Sequence, residues 1–131
     1  ALPNRNEEPV KKSRILVVDD SITTRTLEKS ILESSGYSVE VAVDGKEAWN
    51  RLQERPFDLL VTDIEMPNMD GFELTAQVKQ NGRLGDIPVI IVSSLAREED
   101  KLRGIDVGAD AYIVKSQFET RSLLEVVQQL T

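Results

Sequence analysis

The stretch Ile15-Leu-Val-Val-Asp-Asp20 joins an apolar run to a pair of acids. Four consecutive apolar residues, most of them β-branched, are typical of a strand that is covered on both faces of a parallel sheet. The two acids then fall at the carboxyl end of that strand, which is where open α/β sheets bind their ligands. This hexapeptide therefore predicts a buried central strand with a polar site at its end.

The same alternation continues outward from this stretch. Short β-branched runs alternate with longer amphipathic segments, which predicts five βα units on a parallel sheet. The predicted strands are 14–18, 38–43, 58–62, 87–92 and 111–114, and the predicted helices are 21–35, 45–55, 71–80, 96–106 and 119–130. Apolar residues expected to face the sheet are Ile22, Leu27 and Ile31 on the first helix, and Leu123, Val127 and Leu130 on the last.

Polar residues also follow the other central strands. Asp63 ends the third strand, Ser93 follows the fourth and Lys115 follows the fifth. Two unit charges about 4 Å apart repel by about 4 kcal/mol at an effective dielectric near 20, so three acids at neighbouring strand ends call for a cation. Because the chain has no histidine and no cysteine, oxygen ligands favour Mg²⁺ over zinc. The site would then combine carboxylates, a cation, a hydroxyl and an ammonium, and this combination is suited to binding a phosphoryl group.

Length and composition limit the alternatives. The chain has 131 residues, 40% hydrophobic and 30% charged, which is typical of one globular domain. No apolar run approaches the roughly 20 residues of a membrane span, and no secretion signal is evident, so the cytoplasm is expected. A net charge of −7 disfavours nucleic-acid binding by this domain. Residues 1–13 mix charges with two prolines and predict a linker or tail before a domain over 14–131.

Four separated motifs, in order, match one known family. They are residues 15–20 (ILVVDD), 63–71 (DIEMPNMDG), 87–94 (IPVIIVSS) and 111–115 (AYIVK). Together, over residues 14–130, they resemble the receiver domain of bacterial two-component response regulators. The resemblance implies a flavodoxin-like (βα)5 three-layer sandwich whose parallel sheet has the strand order 2-1-3-4-5.

The resemblance also implies the chemistry of the site. Asp63 would be the phosphoacceptor, taking a phosphoryl group from the phosphohistidine of a histidine kinase or phosphotransfer domain. Lys115 would pair with the phosphoryl oxygens. The protein would be a switch that catalyses only its own phosphorylation and dephosphorylation, and its implied Mg²⁺ ligands are Asp19, Asp20, Asp63 and the backbone carbonyl of Glu65.

Further positions are implied to respond to the phosphoryl group or to control how long it stays. Ser93 would hydrogen-bond a phosphoryl oxygen, and Tyr112 would then swing inward. This change would alter the face formed by helix 4, strand 5 and helix 5, which a downstream partner would recognise. Glu65 and Leu95 flank the route of hydrolytic water and are expected to set the lifetime of the acyl phosphate.

Two features refine the resemblance. Ser116 stands where the family usually has proline after the lysine. We therefore expect a looser turn after strand 5, or a trans peptide bond between Lys115 and Ser116. The segments Asp19–Arg25 (DDSITTR) and Ile113–Phe118 (IVKSQF) look most like receivers at the C-terminus of hybrid chemotaxis-type histidine kinases. Residues 1–13 would then lead from that kinase, and the receiver is expected to be a monomer or weak dimer.

Other interpretations stay open at the level of sequence. A Mg²⁺-dependent phosphohydrolase of the dehalogenase-like class also uses an aspartate at a strand end, but that class needs a second aspartate where Glu65 stands. An FMN carrier would share the sheet, although Asp19 and Asp20 would repel its phosphate. A receiver-shaped interaction module without phosphorylation would not need the polar residues. Taken singly, Asp20 and Ser93 could merely cap helices.

Overall fold

Five parallel strands form a single sheet. They are β1 (Arg14–Val18), β2 (Ser38–Ala42), β3 (Leu59–Thr62), β4 (Val89–Ser93) and β5 (Ala111–Val114). The order across the sheet is β2-β1-β3-β4-β5, and every neighbouring pair is parallel. The predicted α/β fold and strand order are therefore confirmed.

The structure is a computed structural model that describes residues 13–117 and 120–131. Its helices are α1 (Ile22–Ser34), α2 (Gly45–Glu54), α3 (Gly71–Gln80), α4 (Glu98–Asp106) and α5 (Thr120–Leu130). A single 3-10 turn, Lys115–Gln117, follows β5. Within the described ranges, no helix combines the length and the apolar character needed to cross a bilayer. The predicted linker, apart from Ser13, lies outside the described residues.

The helix caps explain why the observed helix boundaries differ from the predicted ones. Ser21, whose hydroxyl accepts the Thr24 N–H at 3.4 Å, is the N-cap of α1, so Asp20 is not that cap. Arg97 occupies the N-cap position of α4, and the Asp100 carboxylate accepts its backbone N–H at 3.2 Å. Helix α4 therefore starts at residue 98, two residues later than predicted, and Ser93 does not cap it.

The helices cover both faces of the sheet, because alternate strand residues point to opposite sides. Buried residues of α1 and α5 pack against one set of strand residues: Ile15, Val17, Leu59, Val61, Ile90 and Val92. Buried residues of α2 and α3 pack against the other set: Leu16, Val18, Leu60 and Val89. The predicted three-layer sandwich is confirmed.

The prediction for the inner face of α1 was partly wrong. Ile31 packs against the core, but Ile22 is 68% exposed and Leu27 is 50% exposed. The residues buried on this helix are instead Glu28 and Leu32. These two are one turn apart and lie on the same side of the helix. A glutamate would not be assigned to a core face from its residue type alone.

Gly71 begins α3 with no room for a side chain. A Cβ atom at this position would lie 1.9 Å from the backbone oxygen of Asp63. The Gly71 N–H also donates to the Ile64 carbonyl at 2.9 Å, which holds the helix start against the end of β3. The glycine therefore fixes the backbone on which Asp63 stands.

Gly71→Ala should lower the free energy of unfolding by more than about 2 kcal/mol, because the clash is with backbone that cannot move aside. Gly82→Ala is the matched control, since a Cβ there meets nothing within 4 Å, and its effect should stay below about 1 kcal/mol. Urea denaturation of the two variants measures the difference. Equal midpoints would contradict the close approach at Gly71.

Candidate functional site

Strand register places two aspartates side by side. Val18 of β1 is paired with Thr62 of β3, and the next residues along the two strands are Asp19 and Asp63. The Asp63 N–H donates to the Val18 carbonyl at 2.9 Å, which continues the ladder past the last pair. Asp19 is 1% exposed and Asp63 is 7% exposed. Both carboxylates are therefore buried next to each other at the carboxyl edge of the sheet.

Asp20 completes a cluster of three carboxylates with these two. One oxygen from each of Asp19, Asp20 and Asp63 lies within 4.8 Å of the others. Asp20 itself is exposed, so the cluster opens to solvent on its side. An arrangement of two buried acids and one exposed acid can admit a cation from solvent.

Lys115 is the positive partner of the two buried acids. Its Nζ donates to Oδ2 of Asp19 at 3.0 Å and to Oδ2 of Asp63 at 3.2 Å. The other carboxylate oxygens accept backbone N–H groups at 2.8 Å, Asp19 from Ser21 and Asp63 from Ile64. The orientation of both carboxylates is therefore fixed from two sides.

One ammonium does not neutralise two buried carboxylates. Burial and the negative charge of Asp19 raise the pKa of Asp63 above its usual value, although the Ile64 N–H and Lys115 offset part of this. Burial acts to lower the pKa of Lys115, but its hydrogen bond to Asp19 and the charges of both acids together raise it. Lys115 thus stays charged, but its single positive charge leaves one of the two neighbouring carboxylates without a balancing charge.

Ser93 and Tyr112 are joined through Leu95. Ser93 is fully buried at the end of β4, and its Oγ accepts the Leu95 N–H at 3.1 Å. The Tyr112 hydroxyl donates to the Leu95 carbonyl at 2.7 Å. Ser93 is paired with Val114, the residue directly before Lys115. The hydroxyl, the lysine and the aromatic ring therefore lie on adjacent strands, and a shift at Leu95 would reach both Ser93 and Tyr112.

The remaining predicted positions border this cluster. Glu65 is exposed, two residues beyond Asp63, and Leu95 is half-buried. The peptide bond between Lys115 and Ser116 is trans, since the described residues contain no cis bond.

A clamp between two loops shapes the segment after Asp63. The Asn68 side-chain amide donates to Oδ2 of Asp44 at 2.7 Å, and the Gly45 N–H donates to the Met69 carbonyl at 3.1 Å. Asn68 has a φ of 68°, a left-handed conformation that asparagine tolerates better than most residues. The hydrogen bonds from the Glu47 N–H and from Asn68 lower the pKa of Asp44, which keeps the clamp ionised.

Glu28 is a residue near the site that the sequence did not reveal. It is 2% exposed, and its Oε2 has no hydrogen-bond partner among the described residues. Burial and the charge of Asp19 raise its pKa to about 8, although Lys115 acts in the opposite direction. The one available signal was its position four residues before Leu32, on the buried stripe of α1.

Comparison with known proteins identifies the family. Residues 15–128 match the family model of the response regulator receiver domain. This chain belongs to that family. Members of the family are signalling domains, so the fold and the acidic cluster described above are those of a receiver.

Individual relatives support the assignment. The gliding motility regulatory protein of Myxococcus xanthus is 44% identical over 131 residues, covering 100% of this receiver but 17% of that protein. The receiver spans 17% to 48% of the length of the first curated relatives that it matches.

Two solved structures are also similar. The receiver domain of a signal transduction histidine kinase from Syntrophus aciditrophicus is 36% identical, with a TM-score of 0.84 over 90% of this chain and 89% of that one. The response regulator TrrA of Thermotoga maritima, solved in complex with Mg²⁺-BeF, is 34% identical, with a TM-score of 0.81 over 91% of this chain and 99% of that one.

Proposed function

We propose that this receiver is phosphorylated on Asp63 by the phosphohistidine of a histidine kinase or a phosphotransfer domain. The observation that supports this most is the contact of one Lys115 ammonium with both Asp19 and Asp63 at the carboxyl edge of the sheet. An Asp63 oxygen would form a bond to phosphorus while the P–N bond to the donor imidazole breaks. The product is an acyl phosphate, and the donor histidine is released.

The donor set fits a hard divalent cation. The cluster offers three carboxylates within 4.8 Å, and its ligands are oxygen alone, as Mg²⁺ prefers. We propose that Asp19, Asp20, Asp63 and the Glu65 backbone carbonyl hold Mg²⁺. When bound, the ion would neutralise negative charge on the phosphoryl oxygens.

Side chains of the protein would bind the phosphoryl group and control its hydrolysis. Lys115 would contact the phosphoryl oxygens, because its Nζ already lies 3.2 Å from the acceptor carboxylate. The Ser93 hydroxyl accepts the Leu95 N–H, and its own O–H would donate to a phosphoryl oxygen once one is present. Glu65 and Leu95, on either side of the acceptor, would set the rate at which water hydrolyses the acyl phosphate.

Phosphorylation would change the face formed by α4, β5 and α5. A phosphoryl group adds about −1.5 to −2 charges, a change large enough to bias a two-state equilibrium. A bond from Ser93 to the phosphoryl group would pull on Leu95, and Tyr112 would respond through its hydrogen bond to the same residue. Leu102 and Ile105 on α4 are 54% and 67% exposed and provide apolar surface for a protein partner.

We further propose that this receiver works in the cytoplasm as part of a hybrid chemotaxis-type histidine kinase. One similar structure is the receiver of a signal transduction histidine kinase, and the gliding motility relative is about six times longer than this chain, as its 17% coverage indicates. The parent open reading frame would decide the point directly.

A small phosphodonor tests the central proposal. Incubation with acetyl phosphate and Mg²⁺ should attach one phosphoryl group per chain, located at Asp63 by mass spectrometry, and EDTA should prevent the labelling. Continuous release of phosphate from unrelated esters would favour the phosphohydrolase instead. Labelling that is indifferent to EDTA would overturn the role proposed for the acidic cluster.

Lys115→Met should strengthen Mg²⁺ binding about tenfold or more, because the ammonium competes for two of the three proposed carboxylate ligands. Labelling of Asp63 should persist at a reduced rate, while signalling to the partner is impaired. Isothermal titration calorimetry measures the affinity. Lys79→Met is the matched control, since Lys79 also pairs with an acid, Asp110 at 3.0 Å, near the opposite edge of the sheet. Unchanged affinity in Lys115→Met would contradict the competition.

A further inference from the structure

The buried carboxyl of Glu28 has no assigned role. Glu28 lies on a helix face packed against the sheet, and within residues 13–117 and 120–131 its Oε2 has no hydrogen-bond partner. A buried acceptor that is left without a hydrogen bond destabilises the folded state. The unpaired oxygen is therefore available to accept a hydrogen bond from another group.

Glu28 shares a cavity with Lys115. The cavity has a volume of about 130 Å³ and is lined by Thr24, Leu27, Glu28 and Lys115. The two charged residues of this lining are thus a buried acid and the lysine whose Nζ contacts Asp19 and Asp63. Lys115 also acts on Glu28 electrostatically, since its positive charge opposes the rise in the pKa of Glu28. The lysine therefore lines the same cavity as a buried carboxyl that has an unpaired oxygen among the described residues.

Cation binding would displace the lysine from its present position. In the structure, Nζ of Lys115 donates hydrogen bonds to Oδ2 of Asp19 and Oδ2 of Asp63. Both aspartates belong to the proposed Mg²⁺ site. A divalent cation held by these carboxylates would repel the ammonium. The lysine has a flexible four-carbon stem, so its charged end can rotate while its base stays in place. A displaced ammonium would need another acceptor, and Glu28 is the acidic residue in the lining of the shared cavity.

We propose that Glu28 is a positioning residue that receives the Lys115 ammonium when a cation occupies the acidic cluster. This proposal rests on the proposed function and adds to it a defined second position for the lysine. Oε2 of Glu28 can accept an N–H from Nζ whether the carboxyl is protonated or ionised, so no proton transfer is required. The acceptor lowers the cost of displacing Lys115 and thereby strengthens cation binding. A phosphoryl group on Asp63 would then attract the ammonium back.

A double-mutant cycle tests the proposal in the full chain. Glu28→Met should weaken Mg²⁺ binding about tenfold, since a hydrogen bond to a charged group is lost. Glu28→Gln keeps an acceptor oxygen and should restore most of the affinity. In the Lys115→Met background, Glu28→Met should change the affinity less than about twofold, because there is no ammonium to receive. Calorimetric titration with Mg²⁺ gives all the constants.

A purely structural role predicts different results. It would change the urea midpoint of Glu28→Met but leave Mg²⁺ affinity as in the wild type, or would change affinity equally in both backgrounds. Either outcome overturns the proposal. If wild-type protein binds Mg²⁺ and is phosphorylated on Asp63 while the cycle is additive, only this inference fails and the proposed function stands.

A measurement on wild-type protein makes the test independent of variant folding. With lysine and glutamate labelled for NMR, the ε-methylene of Lys115 should gain a nuclear Overhauser contact to the γ-methylene of Glu28 on addition of Mg²⁺. Without Mg²⁺, this contact between Lys115 and Glu28 should be absent. A Lys115 side chain that does not approach Glu28 at saturating Mg²⁺ would overturn the proposal.

Discussion

Asp63→Asn should abolish labelling by acetyl phosphate and by a phosphohistidine donor, with a loss of more than about a hundredfold in rate. The neutral amide is a poor nucleophile and cannot form the acyl phosphate. Oδ2 of Asp63 also lies 3.2 Å from Nζ of Lys115, the group proposed to contact the phosphoryl oxygens. Radiolabelling followed by peptide mapping measures the effect. Asp86→Asn is the matched control, because Asp86 is exposed and precedes β4 at the opposite edge of the sheet.

Loss of labelling in this variant should not reflect unfolding. Burial and the charge of Asp19 raise the pKa of Asp63, so the ionised form is disfavoured in the folded protein. Neutral asparagine removes that repulsion and can still accept the Ile64 N–H. We therefore expect a urea midpoint equal to or higher than that of the wild type. Undiminished labelling of the variant, at Asp19, Asp20 or elsewhere, would overturn the assignment of Asp63.

The stability of the metal-free protein should fall as pH rises from about 5 to about 8, because of Glu28. Its pKa is raised from 4.5 to about 8 in the folded state, chiefly by burial. Between these values the folded protein keeps a proton that the unfolded chain has lost, so unfolding becomes more favourable as pH increases. At 1.36 kcal/mol per unit, the loss approaches about 4 kcal/mol. Above pH 8 the dependence from this group should disappear.

The other groups with shifted pKa values do not oppose the fall in stability between pH 5 and 8. Glu40 and Asp44 have lowered pKa values, so their contribution is gained only as pH rises through the acid range below about 4.5. The pKa of Asp63 is raised, so it acts in the same direction as Glu28. The raised pKa of Lys115 affects stability only above its usual alkaline range.

Comparison with Glu28→Gln isolates the effect. The amide does not titrate, so the variant should lose far less stability than the wild type between pH 5 and 8. Urea unfolding at four pH values in that range, with EDTA present, measures the two curves. Parallel curves would show that Glu28 does not hold its proton in the folded state.

The sequence alone was sufficient to predict the five strands and the polar residues that follow them. A central strand of a parallel sheet is apolar along its whole length, so β1, β3 and β4 stand out as runs of aliphatic residues. The acids that follow β1 and β3 interrupt those runs abruptly. Because parallel strands end at the same edge, residues far apart in the chain could be assigned to one crevice before any coordinate was known.

Only the tertiary structure decided how that crevice is filled. The position of Lys115 between Asp19 and Asp63 depends on the register of β5 relative to β1 and β3, across the whole sheet. The burial of Glu28, and the exposure of Ile22 and Leu27, depend on how α1 is rotated against the sheet. Residue type and local spacing fix the ends of strands, but the rotation of a helix is set by its contacts with distant segments. Those contacts place Glu28 in the lining of the cavity that Lys115 also lines.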